Sequence, residues 1–372
     1  MDEPLDVLLV EPWLGGSHEA WAQGYAATSR HAVRIIGHGA GHWRWRLQGS
    51  AVTLATEIAR ATRRRRPDVV LVSSMTDLAQ LLGLTRRSIG DVPVVHYRHE
   101  SQLLYPEAAG ATISKGIRLQ EWASLLAADR VVFNSEFHRT GLLDTAAELV
   151  DDAPDHPHDG FLPGLAAAST VLPVGVDLSA ISASDRPVRS TPTVLWNHRW
   201  QHDKRPDVAL DALLRVAQRG VAFALVMCGA DDLPDHGPIV ARLDRLGDRV
   251  RHTGELRGEA YIAALHDADV VISTAEQECF GVAVIEAVAA GCVPLLPRRL
   301  SYPEIIPTRH HAEVLYDDAD DLVDHLVRLL GDVDGARRRL DGLADDTRRY
   351  DWPVVAPAYD TLLTDVVTAG RR

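Results

Sequence analysis

The chain has 372 residues, 46% of them hydrophobic, and sets 39 Lys and Arg against 52 Asp and Glu, a net charge of −13. That length ordinarily makes two domains with a core each, and the acidity disfavours a general nucleic-acid coat while leaving room for local basic patches. Three cysteines without metal-ligand spacing, no secretory leader and no long apolar run point to a soluble cytoplasmic protein with no membrane partner.

In chain order, Leu5 to Val10 reads as a buried strand, followed by Glu11-Pro12-Trp13-Leu14-Gly15-Gly16-Ser17-His18 and a helix from about Glu19. A strand, a double-glycine turn and a helix commonly open a nucleotide-binding α/β domain, although the full dinucleotide fingerprint is missing. Strands are expected near 33–36, 68–72, 92–96, 130–133 and 170–172, separated by helices at 50–65, 77–84 and 112–128. Residues 151–163, rich in Pro, Asp and His, read as an exposed loop, and 182–192 as an interdomain linker. A second alternation follows, with strands near 193–196, 222–226, 249–252, 269–273 and 293–296. Its helices are expected at 207–219, 238–245, 259–267, 281–290, 321–330 and 335–344, with a last amphipathic helix at 353–367. Alternating strands and helices imply parallel, doubly wound sheets: two Rossmann-like domains, 1–185 and 186–350, then a C-terminal segment, 351–372.

Two stretches carry the chemistry. Glu278-Cys279-Phe280-Gly281-Val282 leaves the strand at 269–273 and enters the helix that holds Glu286. Backbone N–H groups at Phe280, Gly281 and Val282 open a helix N-terminus, a ready anion site, and a glycine there lets a ligand approach the main chain. Carboxylates at Glu278 and Glu286 suit the hydroxyls of a ribose or hexose. Trp196-Asn197-His198-Arg199-Trp200-Gln201-His202-Asp203-Lys204 follows the second domain's first strand. A guanidinium and an ammonium on one loop suit a diphosphate, Arg199 as a fork and Lys204 as a point charge. Asp267-Ala268-Asp269 matches a metal-binding D-x-D pattern but lies at a helix-to-strand joint and is read as accidental.

With these marks the chain resembles the retaining GT-B glycosyltransferases over essentially its whole length, Arg199 and Lys204, Glu278 and Glu286, and Gly15-Gly16 standing in the family's order. Within that group, longer motifs resemble the tRNA-queuosine α-mannosyltransferases. They are Glu11 to His18, Trp43-Arg44-Trp45-Arg46, Tyr97-Arg98-His99-Glu100-Ser101-Gln102-Leu103-Leu104-Tyr105-Pro106, Phe133-Asn134-Ser135, Leu195 to Trp200, Phe280 to Ala283, and Tyr302-Pro303-Glu304-Ile305. Leu14 and Ser101 depart from the pattern, which has an aromatic residue and an Asn there.

The resemblance implies two domains facing across a cleft, with a last helix crossing back to the first. It implies a GDP-mannose donor and, as acceptor, the cyclopentene-diol of queuosine at the tRNA wobble position, with tRNA-Asp the expected tRNA. Arg199 and Lys204 would neutralise the leaving diphosphate, Glu286 hold the nucleotide ribose, and Glu278 grip the transferred sugar with help from Phe280, Gly281 and Val282. Gly15 and Gly16 would let backbone approach the reacting centre, and His99 would hydrogen-bond sugar oxygens. His18, Glu100, Gln102 and Asn134 are expected at the acceptor side. Trp43 and Trp45 could stack on a base, with Arg44 and Arg46 on phosphates. No cofactor and no metal would be needed. A same-fold enzyme acting on a lipid or small metabolite, and a non-catalytic sugar- or RNA-binding module, remain as alternatives. Oligomeric state has no signature in the sequence.

Overall fold

The structure is a computed structural model that describes residues 3–105, 114–153, 155–156, 158–181, 191–230 and 237–370. Its chain divides into two compact units, one made of residues 1–177 and 350–372, the other of 178–349. The expected linker at 182–192 and the boundary at 185–186 fall almost wholly outside the described residues, as does Pro106.

The first unit alternates strands and helices: β1 (Asp6–Leu14), α1 (Gly16–Thr28), β2 (Ala32–Gly39), α2 (Trp43–Ala61), β3 (Val69–Ser73), α3 (Leu78–Thr85), β4 (Val94–Arg98), α4 (Lys115–Leu126), β5 (Arg130–Phe133), α5 (Glu136–Asp151), α6 (Leu162–Ala168) and β6 (Ser169–Val171). The strands form one parallel sheet in the order β2-β1-β3-β4-β5-β6. Helices cover both faces, so β3 and β4 are buried along their whole length, as β-branched runs require in a parallel sheet. Leu8, Val10, Leu54, Ile58, Val70 and Leu81 belong to one core cluster, and Trp122, Phe133 and Leu142 to a second.

Four features differ from expectation. β1 does not end at Val10: it runs to Leu14 through a bulge between Glu11 and Leu14, where Glu11 Oε1 accepts from Trp13 N at 2.8 Å. α2 starts at Trp43 rather than Ser50 and stops at Ala61 rather than Arg65. The unforeseen α5 is opened by Ser135, whose hydroxyl accepts from His138 N. Part of the stretch read as an exposed loop is helical, since α6 begins at Leu162 and buries Leu165.

The second unit contains β7 (Thr193–Trp196), α7 (Pro206–Gln218), β8 (Ala224–Met227), α8 (Pro238–Leu246), β9 (Val250–Thr253), α9 (Gly258–Asp267), β10 (Val270–Ile272), α10 (Val282–Ala289), β11 (Val293–Pro297), α11 (Tyr302–Ile305), α12 (His311–Val314), β12 (Leu315–Tyr316), α13 (Ala319–Gly331), α14 (Val333–Arg339) and α15 (Leu343–Asp346). Its sheet is parallel too, in the order β12-β11-β10-β7-β8-β9. The short edge strand β12 has no periodicity long enough to announce it. The single helix expected at 335–344 is instead two, because Gly342 turns left-handed at φ +79° before α15.

The last helix, α16 (Trp352–Gly370), belongs to the first unit and packs on α1. Trp352 lies where side chains at Gly24 and Gly175 would stand, 1.9 Å and 2.3 Å from the positions their Cβ atoms would take. Asp360 accepts from Tyr25 Oη at 3.0 Å, Ser29 Oγ at 2.5 Å and Arg30 N at 3.0 Å, and Tyr359 Oη donates to Pro173 O at 2.9 Å. Among the described residues no helix is long and apolar enough to cross a membrane.

Candidate active site

In the second unit, two loops at the carboxyl ends of adjacent strands are stitched together. Thr274 Oγ1 donates to Lys204 O at 2.9 Å and Arg205 O at 2.8 Å, and Glu276 N donates to Asp203 O at 2.7 Å. Arg205 turns left-handed (φ 48°) at the start of α7 and pairs with Asp207 and Glu276. This stitching carries the Lys204 ammonium to Glu278 Oε2 at 3.3 Å and to Asp203 Oδ2 at 3.2 Å, and Lys204 also donates to Gln277 O.

Lys204 is therefore buried, at 7% exposure. Burial opposes its charge, but Glu278 and Asp203 outweigh burial and lift its pKa above the usual lysine value. Burial likewise opposes ionisation of Glu278, and Lys204 with His198 holds that carboxyl below its usual range. The Arg199 side chain forms no hydrogen bond or ion pair among the described residues and the residue is exposed, so its guanidinium is open to a ligand.

Gly281 adopts φ +100° ahead of α10, a conformation that excludes most side chains, and no side chain caps the helix. Phe280 is buried, Val282 half-buried, and Ser301 Oγ donates to Phe280 O at 2.9 Å, fixing the turn. Glu286 stands just over one turn into α10, closer to the helix start than expected, and accepts from Tyr261 Oη at 2.7 Å. Burial pushes its carboxyl up to about 7, with the Tyr261 bond working the other way. Asn197 donates to Tyr261 Oη at 3.1 Å and to Ala283 O at 2.8 Å, which locks the glutamate's partner in place.

Tyr261, Asn197 and His198 join this group although sequence reasoning did not single them out. Tyr261 reaches Glu286 across 25 residues, a separation with no local signal. His198 is held neutral, its pKa lowered to about 4 by burial and by Lys204, and its Nε2 is buried without a partner among the described residues. Close packing also explains Gly229, where a Cβ would stand 1.8 Å from His198 O. Asp269 of the D-x-D pattern is spent on structure, accepting from Thr193 N at 2.8 Å and Arg337 Nη2 at 2.7 Å.

The first unit gathers a second group at the carboxyl ends of β1, β3 and β4. His18, from the first turn of α1, contacts Glu11 Oε2 through Nδ1 and Glu100 Oε2 through Nε2, both at 3.1 Å. Burial works against its charge, yet the two carboxylates prevail and raise it to about 10, so His18 is an imidazolium. Glu100, despite burial, is driven well below the usual carboxylate range by His18. Ser74 Oγ donates to Glu100 Oε1 at 2.7 Å.

His99 packs against His18 (ring centroids 4.2 Å apart), Trp21 (4.7 Å) and Tyr97 (4.8 Å). Burial and the neighbouring His18 charge keep it neutral, and its Nε2 is buried without a partner among the described residues. Asn134 brackets it from below: Nδ2 donates to His99 O at 2.9 Å and Oδ1 meets His138 Nδ1 at 2.9 Å. Both ends of that amide are used, so Asn134 positions His99 rather than facing a ligand. The buried Arg98–Glu121 pair fixes the following loop, Glu121 Oε2 accepting from Gln102 N at 2.9 Å and Leu103 N at 3.1 Å.

Ligand atoms of Glu11, His18 and His99 lie within 4.8 Å of one another, close enough to invite a metal. Both His18 nitrogens already face carboxylates, and a metal would have to displace a strongly held proton. His18 is thus held as an imidazolium between Glu11 and Glu100.

The glycine pair divides in role. Gly16 is left-handed at φ +55° with nothing near its missing side chain, whereas a Cβ on Gly15 would stand 2.7 Å from Ala40 Cβ. Trp43, Arg44 and Trp45 project from the first turn of α2. The indoles are 41% and 73% exposed, which excludes their being packed in a wall. Arg44 lies over the Trp43 ring at 5.1 Å, and Arg46 donates to Gly39 O at 3.0 Å.

Comparison with known proteins gives these two groups a context. Residues 6–176 match the family model described as tRNA-queuosine alpha-mannosyltransferase N-terminal, and residues 191–332 match glycosyl transferases group 1. The chain is 32% identical over 332 residues to a tRNA-queuosine alpha-mannosyltransferase of Drosophila melanogaster, covering 86% of this chain and 85% of that one. A GDP-mannose-dependent alpha-(1-6)-phosphatidylinositol dimannoside mannosyltransferase of Mycobacterium tuberculosis is 32% identical over 178 residues, 45% of each chain. Among solved structures, sucrose-phosphate synthase of Thermosynechococcus elongatus superposes with TM-score 0.73 at 16% identity, covering 98% of this chain and 100% of that one. Anabaena HepE in complex with UDP and glucose does so with TM-score 0.69 at 15% identity, covering 96% and 99%. Two parallel six-stranded sheets and a returning C-terminal helix thus define a glycosyltransferase of the GT-B fold. The chain belongs to the tRNA-queuosine alpha-mannosyltransferase family.

Proposed function

We propose that this protein is a retaining transferase that moves mannose from GDP-mannose to the cyclopentene-diol of queuosine at the wobble position of tRNA, tRNA-Asp in particular, in the cytoplasm. The observation that carries the reading is the 32% identity to the Drosophila enzyme over 85% of its length. The second unit supports it with an open guanidinium, a buried ammonium, an uncapped helix start and two carboxylates, Glu278 on the loop before α10 and Glu286 within it.

In this reading the donor binds the second unit. The open Arg199 takes the diphosphate as a fork, and Lys204, already lodged beside Glu278, supplies a fixed positive charge as the phosphate leaves. Charge of this kind, arranged in advance, is stronger in the transition state than in the ground state, which is what accelerates the step. N–H groups at the start of α10 face the phosphates. Glu286 accepts from the ribose diol and Glu278 from a sugar hydroxyl.

The departing phosphate oxygen takes the proton of the acceptor hydroxyl, so neither a covalent nucleophile nor a metal is required. Neutral His99 offers its unpartnered Nε2 to a sugar oxygen. In the first unit, exposed Trp43 and Trp45 stack on an unpaired base while Arg44 and Arg46 meet phosphates. Nucleoside mass spectrometry of tRNA from cells with and without the gene tests the assignment. Loss of a hexosyl-queuosine on deletion is expected; an unchanged nucleoside profile together with a missing mannolipid overturns it.

A further inference from the structure

We propose that Glu100 is the specificity anchor for the cationic side chain of the acceptor base, pairing with the secondary ammonium that joins the cyclopentene-diol to the 7-deazaguanine of queuosine. This rests on the proposal that queuosine-tRNA is the acceptor.

Glu100 leaves β4 with its side chain 29% exposed, whereas Glu11 on the far side of His18 has none. Each Glu100 oxygen has one partner, Ser74 at 2.7 Å and His18 at 3.1 Å, and a carboxylate oxygen has room for a second donor. Two carboxylates enclose one imidazolium, so one negative charge is left over. The nearest buried cation, Arg98, is matched by Glu121, and His99 is neutral, so neither cancels that charge. Such a place repels phosphate and attracts a cation carrying N–H donors.

The surroundings suit the rest of that side chain. Ser74, Thr76, Glu100 and Gln102 line a small recess within the first unit together with the apolar Leu47, Met75 and Ile117. Gln102 is held there by its backbone bond to Glu121, while its carboxamide makes no hydrogen bond among the described residues. A free carboxamide next to a free carboxylate position can take hydroxyls and an ammonium from one short ligand. Donor sugars and the nucleotide carry no cation, so they draw no benefit from Glu100. An aminomethyl-deazaguanine base does.

The test uses competitor tRNAs that differ only at the wobble base. One carries 7-aminomethyl-7-deazaguanine, a cation without the diol, and the other the neutral 7-cyano-7-deazaguanine. Each is titrated against mannosyl transfer to queuosine-tRNA by the full chain. The aminomethyl tRNA is expected to inhibit about tenfold more tightly, the scale of one hydrogen bond to a charged group. Glu100→Gln should abolish that difference, weakening inhibition by the aminomethyl tRNA about tenfold while inhibition by the neutral cyano tRNA stays within about twofold. A merely structural role for Glu100 would weaken both competitors alike and leave their ratio intact. Equal inhibition by the two tRNAs in the unaltered protein overturns the anchor. Absence of any transfer to queuosine-tRNA overturns the acceptor assignment instead, so the two failures are distinct.

Discussion

At the scale of single residues, the ligand-free protein holds its charges in two different ways. Lys204 and Glu278 are matched to each other, and their charges persist across the ordinary pH range. Among the described residues no ion pair holds Glu286, and burial raises its carboxyl to about 7. Because the raised value means a protonated group below that pH, the ionised form that accepts a ribose diol is lost as pH falls. The donor KM should therefore rise below about pH 7, and Glu286→Gln should flatten that dependence; an unchanged pH profile in the variant contradicts the assignment. The same sign makes the ionised group a cost to folding above its usual pKa, so Glu286→Gln should raise Tm at pH 8 more than at pH 5. Arg199 is the opposite case, an exposed cation with no partner among the described residues. Arg199→Ala should lower turnover by roughly two to three orders of magnitude with little change in Tm, the loss expected for a donor aimed at a developing charge. Turnover close to that of the unaltered protein would remove Arg199 from the reaction. His18, raised to about 10, should show imidazolium nitrogen shifts at pH 8, and titration near 6.5 would undo the triad.

At the scale of elements, the strands were legible because a buried parallel strand is a short β-branched run between turn residues, and Val69–Ser73 and Val270–Ile272 are such runs. Gly281 was legible as the start of α10 for a related reason: few other residues take its φ of +100°. What escaped reading depends on distance along the chain. The contact of His18 with Glu100 spans 82 residues, and that of Lys204 with Glu278 spans 74, so their burial and pairing follow only from the folded sheets. α2 began early because nothing in Trp43-Arg44-Trp45-Arg46 breaks a helix, and the two exposed indoles gave its first turn no amphipathic pattern. That turn carries a prediction: Arg44→Ala with Arg46→Ala should weaken tRNA binding and reduce its salt dependence, with donor binding almost unchanged. Equal tRNA affinity in the double variant refutes it. α16 carries another. Trp352 is 2% exposed and occupies space that two glycines leave, so Trp352→Ala should cost about 3–5 kcal/mol in denaturant unfolding of the first unit. A cost under about 1 kcal/mol would mean that the helix is not held by this residue.

At the scale of the whole molecule, an excess of 52 acidic over 39 basic residues must still accommodate a polyanion. Under the proposed function the contact is concentrated: cations at the start of α2 would meet phosphates, and the recess at Glu100 would take the base. In the proposed reaction Arg199 and Lys204 supply the positive charge, so transfer should persist in excess chelator, and strict dependence on magnesium or manganese would contradict that. The most direct measurement of the central claim is transfer by the purified chain from GDP-mannose to two tRNA-Asp samples, one with queuosine and one with guanine at the wobble position, read by nucleoside mass spectrometry. The account predicts a mannosylated queuosine in the first and no sugar in the second. Equal transfer to both, or none to queuosine-tRNA, would contradict it.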